Sequence, residues 1–437
     1  MSSCPALSRP GQGLSGVRGT LWSIGWSGPC LPPPDPCLFF QAGAPRLAPL
    51  SSRPPYQLLV LRLIGLMVLA HLAFGGIRLT LTLWAVSRGM SPFGVGVLLS
   101  MLMVMPMLTS VAMGRWSDRV GFRPPVQRGM LMILVGGLLD AWAPHLAVMA
   151  VGSILVGWGV TMVQVAVTQA VGQAAGPQGA TWGFAGMSMG FSFSGFVGPL
   201  AAGLLIDGVG HAMAFLVLCI TPPLGLLLLR WTHSPLLKPV ERIQDAAGGA
   251  AQGSLLALGP IRAALITAAM VALAWDLFNF FMPVHAAALG LSATAIGAIS
   301  ATYAAGSLGI RLVLGRLSSR LSPARLLNGA LLLTVVIFAL TPLATGFGQL
   351  LVLAAFTGLV LGGGQPLAMT LLHHNAPPGR AGEAIGMRSV IISGSQTFLP
   401  AVFGALGSVL GTGPVFWVVA ATILVALALV RAPAKAA

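Results

Sequence analysis

From Leu58 onward the chain is a succession of long apolar runs separated by short polar breaks. An α-helix needs about 20 apolar residues to cross a bilayer. Twelve runs qualify, with approximate limits 58–86, 93–113, 126–143, 146–172, 182–206, 211–231, 261–288, 292–313, 326–344, 348–372, 384–408 and 413–431. Glycine and proline are frequent inside them, as in membrane helices generally. The longest polar break, 232–260, holds Lys238, Glu241, Arg242 and Asp245 and falls between the sixth and seventh runs. It reads as a cytoplasmic linker between a six-helix bundle over 58–231 and a second over 261–431, followed by a short cytoplasmic tail, 432–437. Residues 1–57 are rich in Pro, Gly and Ser, include Pro32-Pro33-Pro34 and Pro54-Pro55, and hold no run long enough to cross. They read as a disordered, dispensable tail, or as an extension from a start assigned too far upstream. The expectation is an all-α integral membrane protein of twelve transmembrane helices in two pseudo-symmetric bundles.

Composition agrees. Only 7% of the 437 residues are charged and 56% are hydrophobic, with a mean hydropathy of +0.91; a soluble domain carries about 25% charged residues. The net charge of +15 would suit a nucleic-acid partner, but the basic residues are scattered through short inter-helix loops, and none is expected. Membrane orientation explains them better. One set of loops holds Arg115, Arg119, Arg123, Arg128, Lys238, Arg242, Arg316, Arg320, Arg325 and Arg380, and the termini add Arg46, Arg53, Arg431 and Lys435; the opposite set holds Arg88 alone. The positive-inside rule then places both termini in the cytoplasm. Cys4, Cys30, Cys37 and Cys219 have no metal-ligand spacing and imply no disulfide framework.

The chain also repeats. Shifted by 201 positions, Gly114-Arg115 falls on Gly315-Arg316, Ser117 on Ser318, Arg119 on Arg320, Gln164 on Gln365, Pro177 on Pro378, Pro199 on Pro400 and Ser91 on Ser292. Two parallel copies of one unit, related by an axis along the membrane normal, commonly place a substrate site at their junction.

The loop between the second and third runs reads Gly114-x-Trp116-Ser117-Asp118-Arg119-x-Gly121-x-Arg123. This motif resembles the loop signature of the major facilitator superfamily of transporters, and twelve runs with a six-plus-six repeat agree with it. The weaker copy, Gly315-Arg316-Leu317-Ser318-Ser319-Arg320, has lost the acid, with Ser319 standing where the first half has Asp118. The resemblance implies that Asp118 meets the cytoplasmic start of the eleventh helix across the junction, so that Gly114, Asp118, Arg119, Gly121 and Arg123 form a conformational latch. A carboxylate is favoured at a helix N-terminus by about 0.3–1 kcal/mol. For Arg115 and Arg128 an orientation signal suffices. Gly195-x-x-Gly198-Pro199-x-x-x-Gly203 in the fifth run is similar to the glycine-proline motif of family antiporters, with compressed spacing and no closing glycine pair. It favours an exporter, or simply close helix packing with a proline kink.

Ionisable groups inside a membrane are costly and default to function. Asp276 is the one acid expected at mid-depth, in Trp275-Asp276-x-x-Asn279 of the seventh run, and the repeat pairs Asn279 with Arg78 of the first. First and seventh helices line the central cavity in the family, so Asp276 and Arg78 are candidates to face each other, either as a proton- or cation-coupling pair or as a structural ion pair. His71 is a proton relay or a packing histidine. Gln164 and Gln365 contact solute or a neighbouring helix. Arg388 meets an anionic solute, a cytoplasmic-side partner or a lipid phosphate. Arg311 is expected to snorkel to the interface, and Trp84, Trp142 and Trp417 to anchor in it. His373-His374 lacks an acid at useful spacing and reads as interfacial. The fourth run, unlike that of many proton antiporters of the superfamily, has no arginine.

The expected function is secondary active transport of a small molecule by alternating access in the cytoplasmic (inner) membrane, as a monomer with proton as coupling ion and no cofactor. Export of a hydrophobic or amphiphilic solute leads; uptake of a small, anionic metabolite is the alternative. An intramembrane lipid-modifying enzyme would need clustered Asp, His or Cys, which eight scattered acids do not supply, and no phosphate-binding loop is present. A non-transporting sensor would lack solute flux.

Overall fold

A computed structural model describes residues 55–142, 145–232, 258–377 and 380–431. Side chains at 55–56, 176–181, 373–374, 381–382 and 431 are outside the description. The expectations for the tail 1–57, for nearly all of the linker, for His373-His374 and for 432–437 therefore lie outside the described residues.

The regular elements described are all helical: α1 (Pro55–Ser87), α2 (Pro92–Val120), α3 (Arg123–Trp142), α4 (Leu146–Leu218), α5 (Thr221–Trp231), α6 (Gly259–Asp276), a π-helical turn (Leu277–Phe281), α7 (Met282–Ala288), α8 (Ala293–Ser318), α9 (Pro323–Leu340), α10 (Phe347–Leu361), α11 (Gly364–Asn375), α12 (Ala381–Leu410) and α13 (Pro414–Arg431). Each of the twelve apolar runs lies on one of these helices or on a consecutive pair. Among the described residues nine helices are long and apolar enough to cross a membrane, and one of them, Trp182–Trp231, has 50 residues, ample for two crossings. The seventh run is continued from α6 into α7 through the π turn. Its cause is local: Pro283 has no N–H and its ring crowds the carbonyl four residues back, so the ladder slips and the Met282 N–H reaches the Leu277 carbonyl instead.

The repeat is visible in the backbone. Gly89 and Gly290, 201 positions apart, have φ 71° and 78°, and Gly210 and Gly411, again 201 apart, have φ 85° and 87°. These left-handed values suit glycine; Gly89, Gly290 and Gly411 lie in the turns after α1, α7 and α12, and Gly210 lies within α4. Ser91 and Ser292 cap α2 and α8 alike, each hydroxyl accepting from the N–H three residues on.

Helices of the two halves meet at the end that carries Gly89, backbone against backbone. A Cβ on Gly96 of α2 would lie 2.2 Å from the Pro400 carbonyl oxygen of α12, and its repeat mate Gly297 of α8 would place one 2.5 Å from the Pro199 oxygen of α4. Gly203 and Gly404, also repeat mates, would meet the oxygens of Ala293 and Pro92, both at 2.3 Å. These four contacts, two in each of the α2–α12 and α4–α8 crossings, close the Gly89 end. Toward the opposite, Asp118 end, Leu108 and Val111 of α2 are 65% and 68% exposed and Val390 of α12 is 73% exposed.

Gly297→Ala is expected to force the α4–α8 crossing apart at about 1–3 kcal/mol, lowering the melting temperature in detergent. Gly329→Ala, with open space around the added carbon, should leave it unchanged or raise it. Equal melting temperatures for the two variants would refute backbone contact as the source of closure.

Candidate functional site

The site lies where α1 meets the π turn, on the line about which the repeat turns. Arg78 is 9 residues from the end of α1 and Asp276 is 12 from the end of α7, or about 14 and 18 Å at 1.5 Å per residue, near the middle of a hydrocarbon core about 30 Å thick. Arg78 donates from Nη2 to Oδ1 of Asn279 at 3.4 Å. These two residues are repeat mates, so they face each other across the pseudo-axis. Asn279 is held by its own Nδ2, which donates to the Trp275 carbonyl at 2.9 Å. The guanidinium of Arg78 lies over two rings, Phe74 at 5.7 Å and Phe280 at 5.1 Å. Phe74 is one turn back on α1, and Phe280 is turned inward by the π segment. Tyr303 of α8, stacked on Phe278 at 4.4 Å, brings its hydroxyl to Asn279.

Asp276 is 1% exposed. Neither of its oxygens has a hydrogen-bond partner among the described residues, while Arg78 and the Ser395 hydroxyl act on it at close range. The expected pair is thus brought together without a direct ion pair: Arg78 is bonded to Asn279, and the carboxylate sits beside it.

The other candidates are placed as follows. His71 packs edge-on against Phe191 at 4.4 Å, with Nδ1 unpartnered. Arg388 is 9% exposed and donates from Nη2 to the Gln365 side-chain oxygen, while its Nε has no partner among the described residues. Gln164, the repeat mate of Gln365, is exposed and far along the chain from any arginine of its own half. In the loop motif Asp118 and Arg119 are exposed and Gly114 half-buried, Gly121 ends α2 at φ 79°, and Arg123 donates to the Leu229 carbonyl at the end of α5 at 3.3 Å, where a cation suits the helix dipole. Among the described residues Asp118 has no hydrogen bond or ion pair to α12. The fifth-run motif splits between two neighbours. A Cβ on Gly198 would touch the Leu72 carbonyl of α1 at 2.8 Å, whereas Gly195 and Gly203 face α8; Pro199 supplies the carbonyl under Gly297.

Two expectations are corrected. Arg311 does not snorkel. Its Nε donates to the Gly362 carbonyl at 3.2 Å, and its Nη1 donates to the Ser188 carbonyl at 2.7 Å and the Ser192 hydroxyl at 3.0 Å. Gly362 lies where α10 breaks from α11, four residues before Pro366, whose missing N–H leaves that carbonyl free; Arg311 fills it and ties α8 to α4 of the other half. Trp84 is no interfacial anchor: it is 7% exposed, with Arg88 over its ring at 5.5 Å. A second acid is buried, near the end of its helix rather than at mid-depth. Asp140 of α3 is 2% exposed with both oxygens unpartnered, lodged against Gly152 of α4. The sequence places it near the end of its run, where water is the natural expectation, and nothing local announces the helix that covers it. Tyr303, Phe74, Phe280 and Ser395 were also missed; in sequence they are ordinary apolar-run residues.

The family model for the major facilitator superfamily matches residues 63–263 and again 264–436. The chain belongs to this superfamily. Its members are transporters, not enzymes, and this one is a multi-pass membrane protein. The transporter is 29% identical over 372 residues to the class G tetracycline resistance protein of Vibrio anguillarum, covering 77% of this chain and 87% of that one. Among solved structures it is similar to a POT family transporter in complex with 5-aminolevulinic acid (12% identity, TM-score 0.71, over 85% of this chain and 95% of that one). It is also similar to a bacterial homolog of the human lysosomal transporter Spinster in an inward-facing and occupied conformation (13% identity, TM-score 0.69, over 86% and 97%). At such identities the two structures speak for the fold alone.

Arg311→Ala is expected to leave the Gly362 and Ser188 carbonyls unpaired at about 1–3 kcal/mol, read as a lower melting temperature in detergent. Arg311→Lys, a point donor in place of a fork, should recover only part. A melting temperature unmoved by Arg311→Ala would show that the bridge contributes nothing.

Proposed function

We propose that this superfamily member is a proton-coupled exporter of a hydrophobic or amphiphilic solute, working by alternating access in the cytoplasmic membrane, as a monomer with both termini in the cytoplasm. The observation that carries the reading is Asp276: a carboxylate at mid-depth, closed off from solvent, with neither oxygen hydrogen-bonded among the described residues, within electrostatic reach of the Ser395 hydroxyl and of an arginine that is bonded across the pseudo-axis to Asn279. An intramembrane acid without a fixed partner is free to exchange a proton. Ionised, it attracts Arg78; protonated, it does not, and the Arg78–Asn279 contact between halves then stands alone. Proton binding thereby alters the energy of separating the halves at the point about which they would rock.

The solute class is supported by the lining. Phe74, Phe280, Phe278 and Tyr303 surround the charged groups, offering aromatic faces with a few polar contacts, as ligand sites for amphiphiles do. The direction draws on the relative whose name records tetracycline resistance and on the fifth-run glycine-proline motif. A second reading, proton-driven uptake of a small anionic metabolite, draws on the buried, unpartnered Nε of Arg388, which is a donor to spare for an anion.

In proteoliposomes with an imposed proton gradient, the wild-type transporter is expected to concentrate solute against its own gradient, and a fluorescent tetracycline serves as the first probe of the amphiphile class. Asp276→Asn should abolish that uphill movement, by at least about a hundredfold, the low end of the effect of a proton-transfer group, while sparing solute counterflow. Uphill transport by Asp276→Asn at the wild-type rate would refute the coupling role. Anion uptake in place of amphiphile export would favour the second reading.

A further inference from the structure

The Gly89 end of the transporter carries charged groups that the proposed exchange leaves unused. Asp207, exposed just past the 182–206 crossing, accepts two hydrogen bonds from successive backbone N–H groups of the other half: Ala293 at 3.2 Å and Thr294 at 2.7 Å. These open α8. The first N–H groups of a helix have no intrahelical acceptor and carry partial positive charge, so a carboxylate bridging two of them makes charge-assisted bonds, about twice as strong as neutral ones. The Thr294 hydroxyl returns the contact by donating to the Gly203 carbonyl at 3.4 Å. With Ser292 accepting from the Ala295 N–H, three first-turn donors are satisfied, two of them from across the junction.

The repeat supplies the comparison. Ser408 stands 201 positions beyond Asp207, on α12, and its hydroxyl accepts from the Phe93 N–H at the start of α2 at 3.0 Å. The cap is in the same place, but it is neutral and single. Both caps sit beside the glycine crossings, Gly203 under Ala293 and Gly404 under Pro92, so parting the halves at this end must break caps and crossings together. Two further charged or titratable groups lie at this end. His211 follows Asp207 by four residues and interacts with it, and also with Arg88, the residue after α1. Arg88, the single cation of the loops at this end, is thus accounted for as part of this cluster.

We propose that Asp207 is the latch that holds this end of the transporter closed, with Ser408 as its weaker counterpart, so that the α4–α8 contact opens after the α2–α12 contact. The inference rests on the alternating-access reading and on no assumption about solute or coupling ion. Asp207 acts as a positioning residue: it touches no solute, and it sets the balance between conformations. At the opposite end Asp118 is exposed and without a hydrogen bond among the described residues, as expected when the latch at the Asp207 end is the one engaged.

The test is a distance measurement. His145→Cys and Phe347→Cys place spin labels at exposed positions that begin α4 and α10 at this end, one in each half, in a full-length, cysteine-free background in lipid nanodiscs. Double electron–electron resonance then reads the short (closed) and long (open) separations. Asp207→Ala is expected to raise the long-to-short ratio about tenfold, the change that accompanies about 1.4 kcal/mol of lost closure. Ser408→Ala should raise it less, and Asp207→Asn, which keeps an acceptor oxygen but loses the charge, should fall between. A distribution unchanged in Asp207→Ala, while the parent itself shows both separations, overturns the latch and leaves alternating access standing. A parent locked at one separation at every pH and solute concentration overturns alternating access and the latch with it. Should Asp207→Ala fail to accumulate, Ser408→Asp carries the test: a second carboxylate cap is expected to shift the population toward the short separation, and no shift overturns the proposal.

Discussion

Everything in this structure depends on helices that touch through their backbones. In a bilayer the lipid is as apolar as the side chains, so helices gain little from hiding leucine and much from close van der Waals approach. Gly96, Gly203, Gly297 and Gly404 provide it, each sitting so close to a carbonyl of the other half that no Cβ fits. The four are two pairs of repeat mates, so one solution is used twice. Because the pairs lie at one end, they fix which face of the junction is shut. They also fix the depth at which Arg78 meets Asn279, and with it the setting of Asp276.

The buried charges are intelligible against that frame. An apolar chain with 7% charged residues keeps few ionisable groups inside, and those it keeps fall into two kinds. Arg311 is fully engaged: its fork meets the carbonyl freed by Pro366 and a serine pair of the facing helix, and it stiffens the junction. Asp276 is disengaged: a cation lies within electrostatic reach, and neither oxygen has a hydrogen-bond partner among the described residues. The first arrangement is what structural burial of a charge requires; the second is what a group that must change its protonation requires. Asp140 shares the unpartnered state of Asp276, but no cation among the described residues acts on it.

The two halves are similar without being equal, and the differences are informative. Turns, caps and glycine crossings are duplicated nearly residue for residue. Arg311 faces Ser110 at the equivalent position, Asp207 faces Ser408, and Asp118 faces Ser319. In each pair one half holds a charged side chain and the other a serine, so the electrostatics of the α4–α8 side and the α2–α12 side differ although their backbones match. A symmetric frame with asymmetric charges can move as two rigid bodies and still favour one order of opening.

The residue pattern alone determined the class, the twelve apolar runs, the 201-residue repeat and the family, because bilayer thickness sets run length and a repeated gene segment repeats its turns. It also named Arg78, Asn279 and Asp276, since charge in an apolar run is conspicuous and the offset pairs two of them. Tertiary structure decided the rest. Whether Arg311 reaches water or a carbonyl depends on a break in a different helix, caused by Pro366. Whether Asp140 is wet or buried depends on Gly152 beside it, and whether Trp84 faces lipid depends on the packing around α1. That Asp207 caps α8 depends on a crossing between segments 86 residues apart. Such contacts are made by chain segments that meet only when the bundle assembles, and the local spacing of residues holds no record of them.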